Sequence, residues 1–307
     1  MTQPKKHIPK IGLVPNYGQF FPPPVAGSYQ YFSQENNHFS FEVNTLQPSP
    51  VNAWMMAECS LLVYEEPAFI NDVLSKSTVF GQHSFHWLES DAEQAGRGTV
   101  GLLIEGNDFV IIAFRGTEFY RLDDIRSNLS KLRAVWLDLL TDLKISPKTY
   151  TETSPYFDTA IHSGFYEALK SIWPSVINKL DRMGNKPIWL TGHSLGAALA
   201  TLTAYQFPER LAGLYTFGSP CVGTSEFVSS YKSNGLNQKT FRYVHGNDAV
   251  NQALIGVAGY QHIDAEEINY PARPKNLIES LWNRFIPVDQ IDHAPLIYAI
   301  QAWNEIP

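Results

Sequence analysis

The chain has 307 residues, of which 44% are apolar, so it can bury a sizeable core and fits one large α/β domain. A net charge of −7, with no basic block beyond Lys5-Lys6, argues against nucleic acid or an anionic membrane as an electrostatic partner. No run approaches the ~18 apolar residues of a membrane span, and Cys59 and Cys221 match no metal-ligand spacing.

The N-terminal residues are rich in proline. Residues 1–50 carry eight of the twenty prolines, including Pro22-Pro23-Pro24, and predict an extended arm that covers the domain or is partly disordered. Prolines interrupt every apolar run there, so a signal peptide is not recognisable. We therefore expect a cytoplasmic protein, or one exported by another route. Residues 51–307 are expected to form one domain.

The first predicted helix follows this arm. Asn52 is expected to cap it, and Glu65-Glu66-Pro67 is expected to end it. Residues 99–105 and 109–114 are β-rich and are separated by a tight-turn sequence, which predicts a hairpin. The second strand is apolar throughout, as expected for a strand covered on both faces.

An amphipathic segment follows this hairpin. Its apolar residues recur at spacings of 3, 4, 3 and 4 and predict a helix between residues 118 and 143; they are Leu122, Ile125, Leu129, Leu132 and Trp136. Such a helix can pack in the core. It can also act as a lid that covers an acyl-binding groove and meets lipid when it opens.

The stretch at residues 188–200, IWLTGHSLGAALA, is the most informative in the chain. It places the motif G-x-S-x-G between a strand and an alanine-rich helix. A serine on so sharp a turn projects its hydroxyl from the sheet, and Gly192 and Gly196 remove side chains that would collide. The stretch predicts Ser194 as a nucleophile.

Strands alternate with helices in the second half of the chain. Strands are predicted at residues 211–217 and 240–244, with a helix at about 224–234 between them and a last helix at 294–303. A run at 158–180 is also helical but is interrupted by Pro174. This alternation predicts an α/β fold with a mostly parallel sheet, whose functional loops lie at the strand C-termini.

A serine nucleophile needs an imidazole base and a carboxylate that orients it, in the chain order Ser, acid, His. Asp248 follows a strand end and suits the acid, with Asp264 and Asp292 as rivals. Asp292 is a poor orienter of the adjacent His293, because neighbouring side chains diverge. His262 and His293 both remain candidates for the base, and His293 is favoured by its place at a helix start.

The nucleophile also needs donors for the oxyanion. In the α/β-hydrolase arrangement, one is the main-chain amide after the serine, here Leu195. The other comes from a loop after an early strand, for which Thr117 is the candidate, and Gly116 would allow a close approach. His162 precedes the serine and is expected to be structural.

Six motifs in this order resemble those of the fungal-type, or class 3, lipases. They are AFRGT at 113–117, HSGF at 162–165, GHSLGAALA at 192–200, TFGSPCVG at 216–223, RYVHGNDAV at 242–250 and DHAPLIY at 292–298. The resemblance implies an α/β-hydrolase fold with helices on both faces of the sheet. It also implies hydrolysis of carboxylic esters, typically acylglycerols, without a cofactor or metal.

The resemblance assigns site residues position by position. It implies the triad Ser194, Asp248 and His293, an oxyanion hole at Thr117 and Leu195, and a lid at about 118–137 that makes transient contact with a lipid–water interface. Three alternatives remain open. They are a short-chain or aromatic carboxylesterase or a phospholipase with the same triad, an acyltransferase, and a non-catalytic lipid-binding module.

Overall fold

The computed structural model describes residues 29–32, 39–45, 47–90, 98–117, 147–149, 159–271 and 292–307. The proposed lid at about 118–137 and residues 1–28 of the proline-rich arm lie outside these ranges. Within the described ranges the helices are α1 (Pro50–Leu62), α2 (Pro67–Lys76), α3 (Ser163–Leu180), α4 (Leu195–Gln206), α5 (Ser225–Ser233), α6 (Ala249–Gln252) and α7 (Pro295–Asn304).

The strands build one large and one small sheet. In chain order they are β1 (His83–Glu89), β2 (Val100–Gly106), β3 (Val110–Phe114), β4 (Pro147–Thr149), β5 (Ala160–His162), β6 (Ile188–His193), β7 (Leu211–Phe217), β8 (Gly223–Thr224), β9 (Thr240–His245), β10 (Tyr260–Gln261) and β11 (Glu266–Tyr270).

The large sheet is mostly parallel, as the sequence predicts. Its described strands run in the order β1-β2-β3-β6-β7-β9-β11, and pairing is parallel from β3 to β11. Strands β1, β2 and β3 are antiparallel neighbours, and β2 and β3 form the predicted hairpin. Strands β10, β8, β5 and β4 form the small sheet. This is the α/β-hydrolase fold, in which parallel strand ends gather functional loops at one rim.

Helices cover both faces of the large sheet. Strand β3 shows the division, because Ile112 packs in the core with α3 and α4, whereas Ile111 packs in the core with α1 and α7. All five residues of β3 are buried, which explains its continuous apolar sequence. Along the described ranges, no helix is long and apolar enough to cross a membrane. Cys59 and Cys221 are buried free thiols.

The cap of α1 differs from the prediction. Ser49 is the N-cap and accepts a hydrogen bond from the Asn52 amide. Asn52 is instead buried inside the helix, where its side chain accepts from the Glu42 amide at 2.8 Å and donates to the Glu42 carbonyl at 2.9 Å. Asn52 therefore ties residues 39–45 to α1, which a local capping rule cannot anticipate.

Helix α3 also differs from the prediction, because Pro174 does not interrupt it. Proline removes the hydrogen bond to the carbonyl four residues earlier, here that of Lys170. Both residues are exposed, so water can satisfy that carbonyl on the outer face of the helix.

A buried carboxylate holds part of the N-terminal segment against α1. Glu58 is fully buried and accepts hydrogen bonds from the Tyr29 hydroxyl at 2.5 Å, the Trp54 indole at 3.0 Å and the Phe32 amide at 3.3 Å. Burial raises the pKa of Glu58 to about 7, although the three hydrogen bonds oppose the rise. Nearby, the Tyr31 hydroxyl donates to Glu65 at 2.9 Å.

The Glu58→Gln variant should lose pH dependence of stability. Because the folded pKa of Glu58 lies above the unfolded value, its contribution is complete below about pH 4.5 and is lost as pH rises through about 7. That shift corresponds to a loss on the order of 3 kcal/mol in the wild type. Urea unfolding at pH 5 and pH 8 should show a smaller difference in the variant. The exposed Asp108→Asn control should keep the wild-type difference, and an unchanged difference in Glu58→Gln would contradict the assignment.

Candidate active site

Ser194 lies on a strained turn between β6 and α4. Its backbone has φ 58° and ψ −125°, in a region that non-glycine residues rarely adopt. The Ser194 amide donates to the Phe217 carbonyl at the end of β7, at 3.0 Å, and this bond holds the turn against the sheet. The turn places the serine at the C-terminal rim.

The two glycines of the motif are required by close packing, as the sequence predicts. A Cβ atom added to Gly192 would overlap the main chain of Gly196. A Cβ atom added to Gly196 would overlap the Phe114 carbonyl at the end of β3. Helix α4 can therefore begin directly against two strand ends.

Asp248 and His293 form a fully buried pair at the same rim. His293 Nδ1 lies 2.8 Å from Asp248 Oδ2 and 2.9 Å from Oδ1. The Tyr298 hydroxyl donates to Oδ2 at 2.6 Å, and the Val250 amide donates to Oδ1 at 2.9 Å. Burial alone would raise the pKa of Asp248, but the positive charge that His293 carries when protonated and hydrogen bonds from His293 and Tyr298 outweigh it and lower this pKa. The carboxylate stays ionised beside the ring.

The other acid and base candidates have different partners. Asp264 makes an ion pair with Lys232 at 2.5 Å on the surface. His262 Nε2 lies 2.6 Å from the Asn251 carbonyl, and burial, aided by the positive charge of Arg242, lowers the pKa of His262 to about 4.

Asp292 turns away from the adjacent His293, as expected. It accepts a hydrogen bond from the Asn247 amide at 2.9 Å and faces His245 at 3.3 Å. The hydrogen bond between Asn247 and Asp292 therefore joins the loops that carry Asp248 and His293, in addition to the Asp248–His293 contact.

The end of β7 connects the serine to the buried pair. Phe217 accepts the hydrogen bond from the Ser194 amide, and the next residue, Gly218, has φ +57°. A Cβ atom added to Gly218 would lie 2.5 Å from Asp248 Oδ2 and 2.9 Å from His293 Nδ1. One strand end therefore contacts all three candidate catalytic residues.

Gly218→Ala should damage both stability and the buried pair. The left-handed conformation costs a non-glycine residue about 1–2 kcal/mol, and the added methyl group must also displace the pair. We expect a fall in Tm and a loss of activity of about a hundredfold or more, because small misplacements of catalytic groups are that costly.

Gly235→Ala is the matched control. Gly235 has φ +69°, but an added Cβ would meet nothing within 4 Å, so only the backbone cost applies. Its Tm should fall modestly and its specific activity should stay at the wild-type level. Equal activity in the two glycine variants would show that Gly218 does not contact a functional pair.

The loop after β3 also reaches the serine. A Cβ atom added to Gly116 would lie 2.6 Å from the His193 carbonyl and 3.3 Å from Ser194 Cβ, so this position needs glycine. Thr117 is the next residue and is half-buried, and Leu195 begins α4 immediately after the serine. The two candidate oxyanion residues therefore belong to segments that meet at Ser194.

His162 lies in the small sheet rather than the large one. It ends β5, is buried, and stacks on Phe165 with ring centroids 4.2 Å apart. A structural role fits this position.

Three residues that support the candidate catalytic groups are not predicted from the sequence: Tyr298, Tyr64 and His193. Tyr298 is buried on the last helix, where its hydroxyl needs a polar partner, and Asp248 is that partner. The Tyr64 hydroxyl lies 3.1 Å from His193 Nδ1. The sequence offers one indication of this for Tyr298, since it is a tyrosine on an apolar helix face, five residues after the candidate base His293.

Comparisons with known proteins relate part of the chain to lipases. The family model described as "Lipase (class 3)" matches residues 111–255. The secreted mono- and diacylglycerol lipase A of Penicillium cyclopium is 30% identical over 131 residues, which cover 40% of this chain and 42% of that protein. The secreted mono- and diacylglycerol lipase LIP4 of Malassezia restricta is 29% identical over 157 residues, covering 50% and 49%.

A solved structure, the Rhizomucor miehei lipase–propeptide complex, is 27% identical, with coverage of 56% of this chain and 52% of that one and a TM-score of 0.42. The chain spans less than half the length of the curated relatives that it matches. The matched residues include most of β3, the serine turn and the Asp248 loop. Over residues 111–255 this chain is therefore similar to the class 3 lipases.

Proposed function

We propose that this chain is a serine hydrolase that cleaves carboxylic esters of acylglycerols. Ser194 is the nucleophile, His293 is the base and Asp248 orients the base. The buried Asp248–His293 pair carries this proposal: its Nδ1 and Oδ2 atoms lie 2.8 Å apart, and it packs beside the strand end that also bonds Ser194. A neutral imidazole with hydrogen on Nδ1 is fixed by that carboxylate, which leaves Nε2 as the proton acceptor.

The first step forms an acyl-enzyme. His293 Nε2 takes the Ser194 proton as Oγ attacks the ester carbonyl, and the carbonyl oxygen becomes negative. The main-chain amide of Leu195 and a donor from Thr117 stabilise that oxygen. The bond to the glycerol oxygen then breaks, and the alcohol leaves with the proton from His293.

The second step releases the fatty acid. Water gives a proton to His293 Nε2 and attacks the acyl carbonyl, and the bond to Ser194 Oγ breaks as the proton returns to the serine. Asp248 remains ionised throughout, which its lowered pKa and buried hydrogen bonds support. No cofactor enters either step.

The substrate class follows from the relatives. Two of them are named as mono- and diacylglycerol lipases, so we propose partial glycerides as the first substrates, with triacylglycerols beside them. The same two names include the word secreted, which supports the exported alternative over a cytoplasmic location. We also propose residues 51–307 as the catalytic domain, with a lid at about 118–137 that meets a lipid–water interface.

Fatty-acid release from emulsified mono-, di- and triacylglycerols tests this function. We expect release from the partial glycerides, and a rate that rises when substrate exceeds its solubility. A parallel series of p-nitrophenyl esters from C2 to C16 should favour medium or long chains. No release from any acylglycerol would overturn the proposal. A peak at C2–C4 without a rise at the interface would instead indicate a short-chain esterase.

A further inference from the structure

The histidine that precedes the serine has its own buried hydrogen-bond chain. His193 is 2% exposed and lies at the end of β6. Its Nε2 lies 2.6 Å from the main-chain carbonyl of His293, and its Nδ1 lies 3.1 Å from the Tyr64 hydroxyl. The His193 ring also packs against the His293 ring, with centroids 4.4 Å apart, but its hydrogen bond goes to the main chain of that residue.

The chemistry of the two contacts fixes the tautomer. A carbonyl oxygen only accepts hydrogen bonds, so the hydrogen of His193 must lie on Nε2. In the neutral ring Nδ1 is then an acceptor, and the Tyr64 hydroxyl donates to it. Burial lowers the pKa of His193 well below its usual value, and the neighbouring His293 lowers it further, against the opposing effects of Asp248 and the His293 carbonyl. The ring stays neutral at working pH.

At its other end this series of hydrogen bonds reaches the loop after β3 that carries Gly116 and Thr117, here called the oxyanion loop. A Cβ atom added to Gly116 would overlap the Tyr64 hydroxyl, so that hydroxyl packs directly on the glycine before Thr117. Tyr64 follows α1 and is itself buried. Hydrogen bonds and packing thus run from Gly116 through Tyr64 and His193 to the main chain of His293.

We propose that His193 is a positioning residue: with its hydrogen on Nε2, it holds the main chain of His293 at a fixed position relative to the serine. Tyr64 links His193 to the oxyanion loop. This inference rests on the proposed function. His193 packs against the His293 ring, but both of its ring nitrogens are engaged elsewhere, with the His293 carbonyl and the Tyr64 hydroxyl, so it exchanges no proton in the reaction. It fixes the distance between the base and the nucleophile, and errors of about 1 Å there cost catalysis about a hundredfold.

Two substitutions at His193 separate positioning from space filling. The amide of His193→Gln reaches the Nε2 position and can donate to the His293 carbonyl, whereas that of His193→Asn reaches only the Nδ1 position. We expect kcat of His193→Asn to fall about 10- to 100-fold with KM unchanged, and His193→Gln to recover most of it. Equal losses in both, or a loss confined to KM, would overturn the proposal.

Tyr64→Phe provides a second test of the proposal in case His193→Asn does not fold. It removes only the hydroxyl that donates to Nδ1, so kcat should fall about tenfold with Tm near the wild-type value. Wild-type kcat in this variant would overturn the link to the oxyanion loop. Wild-type protein that releases no fatty acid would instead refute the proposed function, which keeps the two failures distinguishable.

Discussion

Ser194→Ala should reduce kcat for ester hydrolysis by about a millionfold, to the level left by binding and oxyanion stabilisation alone. The side chain is 1% exposed and alanine fits the same space, so the fold should survive. The φ of 58° is equally strained for alanine, which leaves the turn unchanged. Fatty-acid titration with emulsified diacylglycerol, together with a Tm measurement, checks both statements.

Ser233→Ala is the control for that substitution. Ser233 lies at the exposed end of α5, where its hydroxyl donates a hydrogen bond to the Ser229 carbonyl, and it has no role in the proposed mechanism. Its activity should equal that of the wild type. Substantial turnover by Ser194→Ala would mean that another nucleophile, or no covalent step, carries the reaction.

Asp248→Asn should lower kcat by about ten-thousandfold while keeping the shape of the site. An asparagine amide facing Nδ1 favours the tautomer with hydrogen on Nε2, and that ring cannot take the serine proton. It also withdraws the charge that stabilises the imidazolium during each step. The remaining oxygen of asparagine can still accept from Tyr298 or Val250, so stability should change less than activity. Hydrolysis of a soluble p-nitrophenyl ester gives kcat directly.

Asp264→Asn is the matched control for Asp248→Asn. It removes the rival acid, whose contact is a surface ion pair with Lys232, and surface pairs contribute about 0–1 kcal/mol. Its activity should be unchanged. If Asp264→Asn lost more activity than Asp248→Asn, the orienting acid would have been misassigned.

Much of the fold is readable from local sequence. The hairpin of β2 and β3, the strands β7 and β9 and the turn at Ser194 each combine an apolar run with a glycine-rich end, and each lies where predicted. The edge strands β1 and β11 are not predicted, because their partly exposed side chains give no clear alternation of apolar and polar residues. Their pairing comes from the neighbouring strands, which the local sequence does not encode. Helix α2 escaped because Pro67 was interpreted only as an end signal, although proline also starts helices.

The candidate site shows the same limit. Chain order and strand ends were enough to nominate Asp248 and His293, but local residues could not separate them from Asp264 or His262. The choice depends on contacts between residues 45 positions apart. Tyr298 and the chain from Tyr64 to His193 are likewise products of packing, since their hydroxyl and ring partners come from distant segments.

Mapping of a covalent phosphonate adduct tests the account most directly. A long-chain alkyl fluorophosphonate should add once per chain, and peptide mass spectrometry should place the adduct on Ser194. The same reaction in His293→Ala should be at least about a thousandfold slower, because the serine then lacks its base. An adduct on another residue, or equal rates in the two proteins, would contradict the convergence of Ser194, Asp248 and His293 at one rim of the sheet.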